Sequence, residues 1–482
     1  MVSSLLPELI LTVGGMALLV LPALRSARLL GFLALALLAA AFDARLMQSL
    51  MPAAREPFTF SGMLVTDRFS DFFQFAILAS AGLVVLSLMG YAREEVRARR
   101  EFYSLLLWTT AGLLLVVRAQ HLGLIYLSLE LVSVLSYLLV GFRKKDPLSS
   151  EAALKYFLFG TIATGAMLYG ISLIYGLTGR LDLAGLAELS KQASPALATA
   201  AALLLMAGLG FKLALAPFHM WAPDAYEGAP TPAASFISLG PKLATFAVLA
   251  RLILAGLPEA VGSWPLMFGA LAVVSMTVGN MVALMQTNVK RMLAYSSIAH
   301  AGTMAVGLAV ATPLGLAALM YYLLAYLMMN AAAFMGVIAV ANASEREDLG
   351  AFSGLSRREP ALAFMITVAF LSLAGIPPLA GFFGKFWIFG AALETGAVGL
   401  AVVAALNSVI ALFYYMKVIK AMYIEPSESA ARLPNSRSLR LGLALCSLGL
   451  LALGLWQGPW LSWTARSLPV SVKTGEFPWL RE

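Results

Sequence analysis

Four ionisable residues stand in stretches of sequence that are otherwise almost wholly apolar. Glu130 lies within Leu127-Ser-Leu-Glu-Leu-Val-Ser133, and Lys212, Lys242 and Lys385 lie in similar surroundings. On insertion scales a charged residue at the centre of a membrane helix costs about 2.5–3.5 kcal/mol, so four of them facing lipid would cost roughly 10–14 kcal/mol. They must instead face a helix-bundle interior, pair with one another or meet water, and such residues mark ion or proton routes. A buried lysine gives up its proton more readily than a solvated one, and a nearby carboxylate reverses that. Glu130 and Lys212 therefore read as a switch, and Lys242 and Lys385 as relays toward an exit. His300, also mid-helix, suits either a relay or a hydrogen-bonded core histidine.

Helical spacing puts polar partners beside these groups. Tyr126, Glu130, Ser133 and Tyr137 share one helix face, as do Thr231, Ser235, Ser238, Lys242 and Thr245. Ser296, His300 and Thr303 form a third stripe, and Tyr322, Tyr326 and Asn330 a fourth. Hydroxyl stripes alone serve as interhelical hydrogen-bond glue. A lysine or glutamate on the same stripe points to a hydrated conduit. Lys155 is read as snorkelling to the membrane edge, His121 as an interfacial residue, and His219 as a capping or packing residue.

The elements that carry these groups follow from composition. Of 482 residues, 61% are hydrophobic and only 12% charged, with a mean hydropathy of +0.86. Soluble domains carry roughly 25% charged residues, so too few charges exist here to cover a soluble surface. The chain reads as an all-α polytopic membrane protein. A spanning helix needs about 20 apolar residues, and fourteen stretches qualify, near 5–24, 27–47, 70–91, 101–118, 121–141, 151–177, 195–216, 232–255, 264–286, 291–311, 314–341, 361–393, 396–423 and 439–457. The N-terminus lacks a basic n-region and a small-residue cleavage site, so the first run reads as a retained helix rather than a signal peptide.

Basic residues set the orientation. Loops after odd-numbered spans hold 19 of the 33 Lys and Arg, and even-numbered loops with the C-terminus hold 10. The odd loops are thus expected in the cytoplasm and both termini outside. A net charge of +8 has the same origin and does not signal nucleic acid. One cysteine, Cys446, and three separated histidines make no metal-ligand pattern. Any redox chemistry linked to the chain belongs to a partner.

The sequence also echoes itself. Ala152-Ala-Leu-Lys-Tyr-Phe-Leu158 matches Ala317-Ala-Leu-Met-Tyr-Tyr-Leu323 at an offset of 165, and Leu213-Ala-Leu-Ala-Pro217 echoes Leu373-Ala-Gly-Ile-Pro377 at 160. The order suggests a duplicated five-helix unit, with spans four to eight over 100–256 and nine to thirteen over 262–424. Helices one to three occupy 1–95, and helix fourteen with a tail occupies 436–482, all within one transmembrane domain. An odd number of helices per unit inverts the second copy, and inverted repeats commonly enclose a transport path beside interrupted helices. Pro217 and the run Gly375-Ile-Pro-Pro378 supply such interruptions in spans seven and twelve.

Three blocks carry a resemblance. Pro217-Phe-His-Met-Trp-Ala-Pro-Asp-Ala-Tyr-Glu-Gly-Ala-Pro-Thr-Pro232 resembles the signature of the proton-pumping, antiporter-like membrane subunits of respiratory complex I. Asn288-Val-Lys-Arg-Met-Leu-Ala-Tyr-Ser-Ser-Ile-Ala-His-Ala-Gly302 and Gly375-Ile-Pro-Pro-Leu-Ala-Gly-Phe-Phe-Gly-Lys385 extend it, and the similarity covers essentially the whole chain. The resemblance implies about fourteen helices, two inverted five-helix repeats and discontinuous helices seven and twelve. It implies that Glu130, Lys212, Lys242 and Lys385 match the family's helix-five glutamate and its lysines of helices seven, eight and twelve.

By the same resemblance the function is proton translocation in a bacterial NADH-quinone oxidoreductase of the inner membrane. The chain would carry no cofactor itself, with FMN, iron–sulfur clusters and quinone held by partner subunits. Its partners would be neighbouring antiporter-like and small membrane subunits, membrane lipids and, indirectly, the peripheral redox arm. The rival readings are a subunit of a multisubunit cation/proton antiporter, a subunit of a membrane hydrogenase or formate-oxidising complex, and a structural spacer whose charges are static pairs.

Overall fold

The computed structural model describes the chain except residues 1, 22–25, 51–57, 187, 190–192, 256, 258–262, 428–435 and 470–482. Its longer helices are α1 Leu6–Val20, α2 Ala27–Leu50, α3 Arg68–Met89, α4 Arg100–Arg118, α5 Leu122–Val140 and α6 Pro147–Thr178. They continue as α7 Pro195–Leu213, α8 Trp221–Gly228, α9 Thr231–Leu254, α10 Trp264–Ala283, α11 Val289–Val310 and α12 Pro313–Ser344. The last are α13 Pro360–Ala374, α14 Ala380–Glu394, α15 Val398–Tyr423, α16 Arg437–Leu455 and α17 Gln457–Ser467. A short hairpin, Phe58–Thr59 with Leu64–Val65, precedes α3.

Twelve of these helices are long and apolar enough to cross a membrane, and the chain is a multi-pass membrane protein. Fourteen spans are not reached by length alone. The two remaining candidates are α1, with 15 residues, and the broken pair α13–α14. A 15-residue helix is about 22 Å long, short of the ~30 Å hydrocarbon core.

Helix starts follow local chemistry. Asp67 caps α3 by accepting from Ser70 N at 2.8 Å, and Ser70 answers in a capping box. α6 and α12 each begin with proline at the first helical position, behind the caps Asp146 and Thr312. Both run 32 residues and end on a left-handed residue, Gly179 or Glu345. Each is followed by an Arg-x-Asp ion pair, Arg180–Asp182 or Arg346–Asp348. These caps and pairs recur 166 residues apart, so the sequence match at 165 is one residue out of register. The same slip affects the interrupted helices. Their left-handed ends, Ala214 and Gly375, lie 161 apart rather than 160, which sets Pro217 beside Pro378 and not Pro377.

α9, α11 and α12 form the enclosed centre. Around them, several arginines assigned to loops by sequence are buried in ion pairs. Arg118 Nη1 donates to Glu8 Oε1 at 2.9 Å, Arg45 bonds Asp71, and Arg251 grips Asp67 at 2.9 and 3.1 Å. Lys290 is likewise buried. Helix burial removes these four from the loop tally, leaving 18 basic residues against 7 and the same bias.

Candidate functional site

Both interrupted helices break where a residue adopts positive φ. In the first, Ala214 (φ 56°) ends α7, and α8 resumes at Trp221. In the second, Gly375 (φ 87°) ends α13, and α14 resumes at Ala380. Glycine takes that conformation without steric cost, and this one is also tightly packed, since a Cβ there would lie 3.2 Å from Lys385 Cδ. The breaks leave carbonyls without helical partners. Lys385, buried, reaches back across its break and donates to the carbonyls of Ala374 at 3.1 Å and Leu373 at 3.3 Å.

Lys212 sits in the last turn of α7, buried, and its Nζ donates to Ser133 Oγ of α5. The ammonium also lies 5.2 Å from the Phe211 ring centre and 5.9 Å from that of Tyr137. Glu130 is half-buried within electrostatic range of Lys212, but the two are not in ion-pair contact. Its Oε1 is buried without a hydrogen-bond partner among the described residues.

Lys242, in the middle of α9, donates to Ser297 of α11 twice, to the carbonyl at 2.6 Å and to Oγ at 2.5 Å. Ser297 Oγ also accepts from Tyr326 at 2.9 Å and lies 3.4 Å from the Tyr226 hydroxyl. One turn on, His300 Nδ1 meets the Tyr322 hydroxyl at 2.7 Å, and Nε2 meets the Tyr415 hydroxyl at 2.9 Å. Lys242 and Lys385 are both near enough to act on the imidazole electrostatically. A cavity of about 10 Å³ is lined by His300, Lys385, Asn280, Asn407 and Tyr414. It is about the size of one water site.

These groups form one buried row. Tyr137 packs edge-on to Tyr156 at 4.7 Å, Tyr156 stacks on Trp221 at 4.1 Å, and Tyr226 leads on to Ser297 and Lys242. Lys212, Lys242, His300 and Lys385 lie on it, Glu130 stands half-buried beside it, and the four polar stripes are buried apart from Tyr126, Glu130 and Tyr137. Sequence reasoning missed Ser297, Tyr226, Tyr156 and Tyr415. Aligning the starts of α5 at Leu122 and α11 at Val289 finds the first, because that register sets Glu130 opposite Ser297 and Ser133 opposite His300.

Lys155 is part-exposed and held in ion pairs. It bonds Glu151 at 2.7 Å and Asp224 at 2.8 Å, because α8 brings a carboxylate within reach of α6. Arg291 of α11 holds the other Asp224 oxygen and Glu227, both at 2.7 Å, so α8 is clamped from two sides. Lys290 donates to the Ala229 carbonyl at 3.0 Å and to Glu347 at 3.1 Å, and Glu347 in turn accepts from Thr231. His121 occupies the N-cap position of α5, and His219 lies in the first break; each has a buried Nδ1 without a partner. In the loops, the bond from Arg180 outweighs desolvation and holds Asp182 below the ordinary carboxylate pKa. Among the described residues, no three His, Cys, Asp or Glu are disposed to hold a metal ion.

Residues 119–411 match the family model described as NADH:quinone oxidoreductase/Mrp antiporter, TM. NADH-quinone oxidoreductase subunit N 2 of Sorangium cellulosum is 43% identical over 96% of both chains. Among solved structures, a chain of respiratory complex I from Thermus thermophilus is 37% identical, with a TM-score of 0.80 over 94% of this chain and 98% of that one. A chain of the archaeal membrane-bound sulfane sulfur reductase superposes with a TM-score of 0.87, over 98% of each, at 24% identity, a likeness of fold.

Proposed function

This chain belongs to the NADH:quinone oxidoreductase/Mrp antiporter transmembrane family, and we propose that it is the N subunit of a bacterial proton-translocating NADH-quinone oxidoreductase. The observation that carries the reading is the buried row of Lys212, Lys242, His300 and Lys385, joined by hydroxyls and broken-helix carbonyls rather than by carboxylates. Fixed ion pairs would hold static charges. A cation bonded only to neutral acceptors can lose its proton without stranding an anion, as a relay requires. Within this reading Glu130 and Lys212 load the proton, and Lys242, His300 and Lys385 pass it on. The name and full-length coverage of the 43% relative support the oxidoreductase over an antiporter.

The division into helices 1–3 (1–95), a first five-helix unit (100–256), an inverted second unit (262–424) and a terminal helix (436–482) belongs to the same proposal. So does placement in the inner membrane with both termini outside, which the loop charges support. FMN, iron–sulfur clusters and quinone would be held by partner subunits. Moving one charge against ~100 mV costs about 2.3 kcal/mol, and quinone reduction elsewhere in the complex would supply it.

Lys212→Ala in native membranes tests this. With the complex assembled, NADH-driven quinone reduction and proton pumping should both fall sharply. Parental values of both would overturn the central-lysine pathway.

A further inference from the structure

Between α2, α3, α12 and α16, on the face richest in Lys and Arg, lies a cavity of about 1190 Å³ that the proton row does not use. Its polar lining comes from helix ends: Arg28 at the start of α2, Arg97 beyond the end of α3 and Arg437 at the start of α16. Its apolar lining lies one to two helical turns deeper, with Phe32 and Leu35 on α2, Leu86 on α3 and Leu441 on α16. Among the described residues, no carboxylate lines it. Arg28 and Arg437 make no ion pair among the described residues. Arg97 is held by Glu94 at 2.9 Å, yet its Nε is buried with no acceptor. Asn342 ties the wall together, bonding Ala92 N at 2.9 Å and the Gly90 carbonyl at 2.7 Å. Phe32 and Leu441 are more than half exposed, so the deep end opens sideways toward hydrocarbon.

Three guanidinium groups above an apolar trough match a negatively charged phosphodiester with an acyl chain. Arginine binds phosphate oxygens in a two-pronged fashion, and basic pockets between membrane helices take anionic headgroups. We propose that this cavity binds one anionic phospholipid of the bilayer, its phosphate on Arg28, Arg97 and Arg437 and an acyl chain along Phe32, Leu35 and Leu441. The inference rests on the membrane-spanning fold and not on the pumping role, so its test reads lipid rather than proton flux.

The experiment counts phospholipids retained by the purified, intact complex, by native mass spectrometry and by extraction. The triple variant Arg28→Gln, Arg97→Gln, Arg437→Gln should lose one anionic phospholipid relative to the parent. Leu441→Trp, which keeps the arginines and fills the trough, should lose the same one, and it decides the matter if the triple variant fails to assemble. The delipidated parent should regain thermal stability with phosphatidylglycerol vesicles and not with phosphatidylcholine vesicles or inorganic phosphate. Unchanged lipid in both variants would overturn the proposal, as would equal rescue by phosphatidylcholine or by phosphate. A Leu441→Cys variant that cross-links to a partner polypeptide would assign the groove to protein and overturn it as well.

Discussion

Substituting Lys385 separates its structural role from the proton-carrying one proposed for it. The ammonium bonds two carbonyls at the end of α13, those of Ala374 and Leu373. Lys385→Met keeps the length and removes the donor. Leaving a buried acceptor unpaired costs about 1–3 kcal/mol, so two cost roughly 2–6 kcal/mol. Lys385→Arg keeps donors for both carbonyls but cannot release its proton in a protein. The adjoining cavity, about 10 Å³, gives a guanidinium little extra room, so overpacking adds about 1–3 kcal/mol. The assay measures thermal stability of the purified complex and the ratio of NADH-driven proton uptake to quinone reduction in vesicles. Lys385→Met should lose both stability and pumping. Lys385→Arg should stay nearer the parent in stability and lose pumping at least tenfold, about 1.4 kcal/mol in barrier. An arginine variant that pumps at the parental ratio would refute the relay, since a permanently charged group would be carrying the current.

Glu130 gives the complementary case: Oε1 has no bond to lose, so Glu130→Gln should leave assembly and melting unchanged while pumping falls, and a stability loss matching the pumping loss would make the residue structural. The clamp on α8 should show as coupling between Asp224 and Arg291. Their side chains are 27% and 29% exposed, so the coupling should fall between exposed and buried pairs, about 1–2 kcal/mol; a double-mutant cycle with Asp224→Asn and Arg291→Gln on thermal inactivation checks it, and strict additivity would rule the clamp out. Asp67 sets an acid limit on stability. Burial works against its carboxylate, but the charge and bonds of Arg251 with the bonds of Ser70 outweigh it and hold its pKa below the ordinary value. A lowered carboxylate pKa stabilises the fold above the unfolded value, about 3.9, and that contribution is lost as pH falls through the folded value. Asp67→Asn should therefore melt below the parent at pH 7, with the gap closing under about pH 4, and a gap constant with pH would remove Asp67 as the cause.

Patterning made the spans and stripes legible, because period and hydropathy are local properties. Lys242 and His300 could be placed on inward faces from spacing alone. Their partners could not, since Ser297 reaches Lys242 across 55 positions and Tyr415 reaches His300 across 115. The partner of Lys155 is hidden for the same reason, as Asp224 comes near only when α8 folds back on α6. The echoes at 165 and 160 sit one residue off the recurrence of the caps at 166 and of the break ends at 161, because apolar letters match at several offsets. The caps Asp146 and Thr312 do not look alike in sequence, yet they do the same work.

Lys212 and Lys385 occupy different places in their broken helices, but the same place in the field of those breaks. Lys212 precedes the break by one turn on α7 itself, whereas Lys385 follows its break on α14 and leans back to the end of α13. Each cation therefore sits at the C-terminal, negative end of the first half-helix. That end stabilises a cation by about 0.3–1 kcal/mol, and up to ~2 kcal/mol where partly buried. Set against roughly 2.5–3.5 kcal/mol for a charge in an apolar helix centre, this offsets part of the cost, and the breaks help the chain tolerate these lysines without acidic partners in contact. Lys242 has no such support. Its helix runs unbroken, and both its acceptors belong to Ser297 on the neighbouring α11. Separation of α9 from α11 would strip Lys242 of both bonds while leaving Lys385 its carbonyls. Lys242, like Lys212 on Ser133 of α5, thus keeps its bonds only while two neighbouring helices stay together.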